Sequence, residues 1–369
     1  MLTYATRRLI LAIPTLLFIS FVIFMLLQLA PGDPMAQVPL TVPDEVKQKM
    51  REALGLGAPP LVQYWKWLVQ IFWIEPQVLI DHLFGTHFAW HWDTPTEALS
   101  DSLRATLSEA GRLREVDGVT QVLVQDQRVI SWQTRSPVMD IILQRIPQTL
   151  WVVGVAYIVA ILIALPIGVY SAYKQYSVFD QAGTFVTMIG FSIPPFFTGP
   201  LLIVIFSVQL GWFPSIYDTT HQVTDWASFK FQLQQMIMPV MVLALQITAQ
   251  LSRYMRASML DNLGQDYVRT ARAKGLSEAI VVNVHVLRNS MIPVVTVIAL
   301  GIPAIFGGAI ITESVFKVNG IGQLLLTALF ANDLPMVMTL TFIFAVLIVL
   351  FNLIADVLYG LLDPRIRYD

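Results

Sequence analysis

The sequence predicts an all-α polytopic membrane protein with about six transmembrane helices and a small α+β segment outside the bilayer. Composition is the first reason, since 56% of the 369 residues are hydrophobic and 13% are charged, whereas soluble domains carry roughly a quarter charged residues. The second reason is that the apolar residues form long uncharged runs. A helix needs about 20 such residues to cross about 30 Å of hydrocarbon. Most of the surface is therefore expected to face lipid.

Six runs are long enough to cross the membrane. They are Leu9–Ala30, Thr149–Tyr173, Gly183–Trp212, Phe231–Ser252, Met291–Thr312 and Leu334–Ala355. In the third run, Pro194-Pro195 predicts a bend within one span, because proline removes an amide donor from the helix. The first run follows Arg7 and Arg8 as in a signal peptide, but it is longer than an h-region of roughly 7–15 residues. We interpret it as a retained first span.

The positive charges predict the orientation of these spans. Arginine and lysine concentrate on the cytoplasmic side, and six of them lie between residues 253 and 290. The loops on the opposite side, 213–230 and 313–333, hold one lysine each. Six crossings then place both termini and the basic loop in the cytoplasm. The net charge of −2 gives no indication of nucleic acid binding, and the lack of cysteine excludes disulfides and thiolate metal sites.

We predict three parts along the chain. Residues 1–30 form the N-terminal tail and first span, 31–147 a periplasmic segment, and 148–369 a core of five spans with a cytoplasmic loop at 253–290. In the periplasmic segment the pattern predicts, in order, a helix at Asp44–Leu54, an interfacial helix at Pro60–Trp73, a helix near Thr94–Arg112, and a β-hairpin of Thr120–Gln125 and Arg128–Thr134.

The basic loop reads as a short helix, a turn and a second helix. Helix-forming residues run from Asp266 up to Gly275, and glycine after such a run is typical of a left-handed helix end. Ser277 is then placed to cap the next helix. The result is a compact basic projection outside the membrane. The simpler interpretation, a positive loop that only fixes topology, rests on charge and leaves the helix–turn–helix pattern unexplained.

Several segments of the sequence resemble the permease subunits of dipeptide/oligopeptide-type ABC importers. They are, in chain order, Arg7-Arg8 with Leu29–Pro34, Arg145–Leu150, Asp266–Gly275, His285–Asn289 with Pro293, Glu313–Gly322 and Asp363–Arg367. The resemblance covers nearly the whole chain, and its motifs keep a fixed order. It implies a type I ABC importer permease fold and a subunit that forms half of a pathway for peptides delivered by a periplasmic binding protein.

The resemblance also implies which residues couple the permease to ATP hydrolysis. The coupling loop, which docks into a groove on the ATPase, comprises Asp266, Arg269, Ala271, Arg272, Lys274, Gly275, Leu276 and Ser277. Arg269 stands where the general loop pattern has glutamate, so its polar contacts should differ. Residues 91–136 look like an insertion relative to compact family members, without an assigned role.

The implied partners are a second permease (a homologue or a copy of this chain), two ABC ATPase subunits, the binding protein and the bilayer of the bacterial inner membrane. We expect the chain to bind no cofactor, with ATP and magnesium on the ATPases, because no glycine-lysine pair precedes serine or threonine as a phosphate-binding loop requires. We expect no enzyme activity either, since no catalytic set of side chains gathers at one membrane depth.

Several interpretations stay open. The same kind of machinery also imports oligosaccharides, opine-like compounds and nickel complexes. Pro194 and Pro195 are a hinge in the pathway or a packing kink, and Gly307 and Gly308 are a moving gate or a site of close helix packing. The histidines between residues 82 and 91 fit no standard ligand spacing, so we expect no metal site.

A secondary transporter is the main rival class. Such carriers need ionisable groups near the midplane of the bilayer, and the spans have essentially none away from their ends, Asp356 lying near the inner end of the last. The sequence therefore disfavours this class. A channel would also lack such groups, but it would have no use for a docking loop.

Overall fold

The computed structural model describes residues 2–29, 48, 57–95, 100–116, 119–306 and 309–362. Contacts divide the chain into two compact units. The first, here called the helical unit, comprises Met1–Val22, Ile142–Phe330 and Leu340–Asp369. The second, the α+β unit, comprises Ile23–Ile141 and Ala331–Thr339. The division into 1–30, 31–147 and 148–369 stays a prediction.

The helices of the described residues are labelled in chain order. They are α1 (Leu2–Leu29), α2 (Pro60–Val69), α3 (Glu75–Phe84), α4 (Asp101–Glu109), α5 (Val138–Thr149), α6 (Val155–Tyr173), α7 (Val178–Ser192), α8 (Pro195–Leu202), α9 (Trp226–Leu263), α10 (Asp266–Ala273), α11 (Glu278–Ile280), α12 (Leu287–Phe306), α13 (Ile310–Phe316), α14 (Ile321–Phe330) and α15 (Leu334–Leu362). Wider π-helical turns follow α2, α5, α8 and α11, at Gln70–Ile74, Leu150–Gly154, Ile203–Gln209 and Val281–Val286.

Among the described residues, five helical stretches are long and apolar enough to cross a membrane. They are Ile10–Leu29, Val138–Tyr173, Trp226–Leu263, Glu278–Pro303 and Leu334–Asp356. The bent pair α7–α8 brings the number to six if it forms one span. The predicted polytopic helical fold is thus confirmed. The predicted run Met291–Thr312 is interrupted, because α12 ends at Phe306 and Thr312 lies in the separate helix α13.

The bend predicted at Pro194-Pro195 is confirmed. The axes of α7 and of the helix that begins at Pro195 differ by 103°. Ile193 has an extended backbone with ψ 119°, as a residue before proline prefers, and Pro194 is also extended, with ψ 147°. Pro195 then occupies the first position of α8, where its missing amide hydrogen is not needed.

α9 is the longest helix of the helical unit, at 38 residues. It begins at a capping box, in which Ser228 N–H donates to Asp225 Oδ1 at 2.7 Å and Asp225 N–H donates to Ser228 Oγ at 2.8 Å. It packs along α6. Gly168 permits the close approach, since a Cβ there would lie 2.6 Å from the Cβ of Met255.

The α+β unit contains an antiparallel sheet of β1 (Trp90–Asp93), β2 (Leu113–Val116) and β3 (Val119–Gln125), in the order β1-β3-β2. The predicted hairpin is right for its first strand and wrong for its second. β3 covers Thr120–Gln125, but it pairs with β1 and β2. The stretch Arg128–Thr134 makes an isolated bridge, Ile130 to Pro137, with the segment that directly follows it.

Two carboxylate clusters fix this stretch. The Arg128 guanidinium, 9% exposed, donates to Glu75 Oε2 and to Asp140 Oδ1, both at 2.8 Å, and these bonds hold the pKa of Arg128 above its ordinary value despite burial. Asp333, distant in sequence, accepts from the Ser131 hydroxyl and from the N–H of Trp132 at 3.0 Å. Residues 128–133 therefore form a carboxylate-bound loop instead of a strand.

Of the other three elements predicted in this unit, two are confirmed as helices and one lies almost entirely outside the described residues. The helix at Pro60–Trp73 is confirmed as α2 and its π-helical extension, with Trp65 and Trp73 exposed. Trp67 is buried instead, and its Nε1 donates to Thr339 Oγ1 at 3.3 Å. The helix near Thr94–Arg112 is confirmed as the shorter α4. Apart from the helical residue Gln48, the predicted helix Asp44–Leu54 lies outside the described residues.

Candidate functional site

The predicted basic projection lies between α9 and α12. α9 ends at Leu263, and after Gly264 and Gln265 the chain forms α10. This short helix is amphipathic: Val268 and Ala271 are buried, while the remaining residues of α10 are exposed. α10 therefore has one face packed on the helical unit and the other open to solvent.

Gly275 ends α10 in the predicted left-handed conformation, with φ +78°. Its N–H donates to Arg272 O at 2.9 Å, and the N–H of Leu276 donates to Ala271 O at 3.4 Å. These two bonds form a Schellman motif, which satisfies carbonyl groups that a helix end leaves free. Ser277 is the residue before α11, as predicted, but its hydroxyl makes no capping bond, so its predicted capping role is only positional.

An ion pair links the residues before and after Gly275 on the solvent-exposed side of the turn. Arg272 Nε donates to Glu278 Oε1 at 2.8 Å, and both side chains are nearly half exposed. The bond to Glu278 raises the pKa of the Arg272 guanidinium above its ordinary value. Arg269 contacts Asp266 at 3.4 Å, where both side chains are largely exposed. Such exposed pairs orient side chains with little effect on stability.

The nine residues from Arg272 to Ile280 are all exposed; we call them the exposed turn. The exposed turn includes Lys274, which has no ion pair with any residue that the structure describes, and the apolar side chains Leu276 and Ile280. Positive charge beside exposed apolar groups, on a defined backbone, is typical of a surface that binds a partner.

An apolar cluster holds the exposed turn on the helical unit. Val268 and Ala271 of α10 pack with Val281 and Val282, which follow the turn, and with buried residues of α6, α9 and α12. Both ends of the turn are therefore anchored in one packed core. A displacement of the exposed turn would therefore move these helices as well, because close-packed interiors deform little.

A partly buried ion pair joins α7 and α9. Arg256, two helical turns before the end of α9, donates from Nε to Asp180 Oδ1 at 2.7 Å and from a second nitrogen to Oδ2 at 2.8 Å. Asp180 is in the first turn of α7 and is buried. The pair thus joins the helix that leads to the exposed turn with the helix that leads to the bend at Pro194. The sequence analysis did not identify it, because the two residues are far apart in the chain.

A cavity of about 780 Å³ opens within the helical unit. Its lining includes Pro195 at the bend and a polar stripe of α9, formed by Gln246, Gln250 and Tyr254. This stripe was not predicted from the sequence. The pattern that could have indicated it is the spacing of its polar residues by four positions, because residues so spaced lie on one face of a helix.

The other residues that the sequence suggested as functional, two glycines and several histidines, add little to the candidate site. Gly307 and Gly308 lie outside the described residues. His91 Nδ1 lies 2.7 Å from Asp126 Oδ1, and His87 packs edge-on against Trp90. The described part of the chain holds no group of three or more His, Cys, Asp or Glu that could bind a metal ion.

Comparisons with known proteins give consistent matches. Residues 164–368 match the family "binding-protein-dependent transport system inner membrane component", and residues 1–108 match the N-terminal model of such membrane components. The oligopeptide transport system permease protein AppB of Bacillus subtilis is 36% identical over the full length of both chains. The glutathione transport system permease protein GsiC of Salmonella paratyphi A is 32% identical, again over both full lengths.

Two further matches complete the comparison. A putative peptide transport system permease protein of Brucella abortus is 31% identical over 98% of each chain. A crystal structure of an amino acid ABC transporter with histidines aligns with 62% of this chain and 95% of its own, with 14% identity and a TM-score of 0.42. The family models and the full-length relatives confirm the resemblance noted in the sequence. This chain belongs to the binding-protein-dependent transport system inner membrane components, the multi-pass permease subunits of ABC importers.

Proposed function

We propose that this chain forms half of the translocation pathway of an ABC importer for peptides. The support for the substrate comes from the relatives, whose names refer to oligopeptides, glutathione and peptides. The working transporter contains a second permease, two ATPase subunits that hold ATP and magnesium, and a binding protein that delivers the peptide. The chain itself transmits a conformational change and performs no covalent chemistry.

In this proposal the exposed turn docks on an ATPase subunit in the cytoplasm. The observation that carries it is a nine-residue solvent-exposed ridge whose two ends are anchored in one apolar core. The docking residues are Asp266, Arg269, Ala271, Arg272, Lys274, Gly275, Leu276 and Ser277. Asp266 and Arg269 are on the exposed side of α10, Ala271 is buried beneath it, and the other five belong to the exposed turn. The basic loop 253–290 and both termini are cytoplasmic, as the arginine distribution favours.

The movement of the ATPases then reaches the pathway through packed helices. Closure of the ATPases displaces the exposed turn and α9, and the ion pair of Arg256 with Asp180 carries this displacement to α7. Pro194 and Pro195, at the junction of α7 and α8, act as a hinge where a bend already exists, and Gly307 and Gly308 are a second candidate hinge of the pathway. The helices thereby alternate between inward-open and outward-open packing.

Uptake into reconstituted vesicles tests this function. Vesicles that contain the complete transporter should take up radiolabelled tetra-alanine only when ATP and the binding protein are both present. Vesicles prepared without this chain should take up none. Uptake that ignores ATP would contradict the importer assignment. ATP-dependent uptake of an oligosaccharide, an opine or a nickel chelate, with no uptake of any peptide, would contradict the peptide assignment alone.

A further inference from the structure

The cavity of the helical unit has the size of a small-ligand site. Its volume of about 780 Å³ falls in the range of roughly 300–1,000 Å³ that is usual for such sites. α6, α9, α12 and α13 contribute to its walls, and Pro195 places the bend of α7–α8 at its edge. Apolar residues make up most of the lining, with a few polar groups among them, which is the usual composition of a binding pocket.

The polar groups of the cavity have hydrogen-bonding capacity that the described residues leave unused. The side-chain amides of Gln246 and Gln250 and the hydroxyl of Tyr254 have no partner among these residues. Thr312 also lines the cavity, is 2% exposed, and its Oγ1 is buried without a hydrogen bond. That oxygen is not accessible from the cavity, so the polar groups available to a ligand are those of the α9 stripe.

The charge of the lining restricts the ligand further. None of the described residues that line the cavity is Asp, Glu, Lys, Arg or His. A ligand group with a net charge would lose its hydration there without gaining an opposite charge. The lining therefore fits neutral groups that both donate and accept hydrogen bonds. Side-chain amides fit peptide groups in particular, because each carries a carbonyl acceptor and an N–H donor.

The spacing of the stripe matches an extended main chain. Gln246, Gln250 and Tyr254 are four residues apart, which corresponds to about 6 Å per step along a helix that rises 1.5 Å per residue. In an extended peptide, groups that point in the same direction recur every two residues, or about 6.6–6.8 Å. Three polar side chains on α9 can thus meet alternate peptide groups over about four residues of ligand.

We propose that this cavity is a main-chain binding site in the pathway, where Gln246 and Gln250 hydrogen-bond alternate peptide groups of an extended peptide. The inference rests on the proposed function, since it assumes a peptide substrate. The site contacts the backbone of the peptide but not its side chains or charged termini. It therefore accepts peptides of many sequences. Selection among peptides then belongs to the binding protein.

Transport of two probes tests the proposal in the reconstituted transporter. The probes are tetra-alanine and tetra-alanine N-methylated at its first and third peptide bonds, which removes the N–H groups that donate to the glutamine carbonyls. Gln250→Ala should slow tetra-alanine transport roughly fivefold, the effect of one hydrogen bond, and should slow the methylated probe less, because that probe has no N–H groups to donate to the glutamine carbonyl. Gln246→Ala should behave in the same way. Every measurement uses the same binding protein, so its own preference cancels when variants are compared.

Met241→Ala is the matched control, because Met241 is exposed on α9 and does not line the cavity. It should slow neither probe. Membrane content reports folding and should be normal, since the two glutamines have no hydrogen-bond partner among the described residues. Equal slowing of both probes by the glutamine variants, or no slowing beyond that of Met241→Ala, would overturn the main-chain site while leaving peptide transport established. Failure of the wild-type transporter to carry either probe would overturn the peptide function itself and this site with it.

Discussion

The exposed turn and the loop at residues 128–133 are both short, irregular segments, yet they differ in where their partners lie. Bonds between neighbours in sequence define the exposed turn, from the Schellman motif at Gly275 to the Arg272–Glu278 pair. The loop has local backbone bonds too, but partners far away in the chain also hold it, because Arg128 binds Glu75 and Ser131 binds Asp333. A segment whose hydrogen bonds are local keeps its conformation when a partner binds it. A segment built from distant bonds instead stabilises the unit that supplies those partners.

Arg128→Met should have the largest effect on stability. It leaves the carboxylate of Glu75, which is almost fully buried, without a counter-charge. Removing one partner of a buried pair costs about 3–5 kcal/mol. Hydrogen exchange in detergent should show faster opening of residues 57–141. Arg104→Met is the control, because Arg104 and Glu115 are at least half exposed, and its cost should stay within about 1 kcal/mol.

Asp333→Ala should have the next largest effect. It removes the acceptor of the Ser131 hydroxyl and of the N–H groups of Trp132 and Gln133. Hydrogen bonds to a charged group contribute about 1.5–3 kcal/mol each, although they are not additive. Proteolysis should then cut first at residues 131–136. Ser136→Ala, in the same loop, should leave the cleavage rate unchanged. An unaltered rate in Asp333→Ala would show that the loop is held locally after all.

Gly275→Val tests the local side of the comparison. A left-handed backbone costs a residue with a Cβ about 1–2 kcal/mol, and more for a β-branched one. We expect peptide transport to fall severely while the protein still inserts and the ATPases still hydrolyse ATP. Gly264→Val is a matched control, because both glycines have open space around a Cβ and Gly264 has φ −83°. Normal transport by Gly275→Val would contradict the role of the turn in coupling.

Arg272→Ala should have the smallest effect on stability. The Arg272–Glu278 pair is nearly half exposed, and exposed pairs contribute about 0–1 kcal/mol. Thermal unfolding of the chain should barely change. Transport per ATP hydrolysed should nevertheless fall, because the variant loses a positive charge on the docking surface. A large loss of stability would mean that the pair, rather than the Schellman motif, maintains the turn.

The same contrast explains what the sequence could predict. Apolar run length located the spans, and Pro194-Pro195 located the bend, because each signal lies within the residues concerned. The turn at Gly275 was predictable for the same reason. The second strand of the hairpin was predicted wrongly, since alternation in Arg128–Thr134 carries no information about Glu75 or Asp333. The pair of Asp180 with Arg256 was missed likewise, because nothing in either neighbourhood identifies the partner.

Thiol protection at residue 277 tests most directly the claim that the exposed turn docks on the ATPase. The chain contains no cysteine, so Ser277→Cys introduces a single thiol, at a side chain that makes no capping bond. Ser108→Cys, exposed on α4, is the control. A maleimide should label both variants quickly in the isolated permease. Binding of the ATPase subunits should slow labelling at residue 277 at least about tenfold and leave residue 108 unaffected. Equal labelling of residue 277 with and without the bound ATPases would contradict the account.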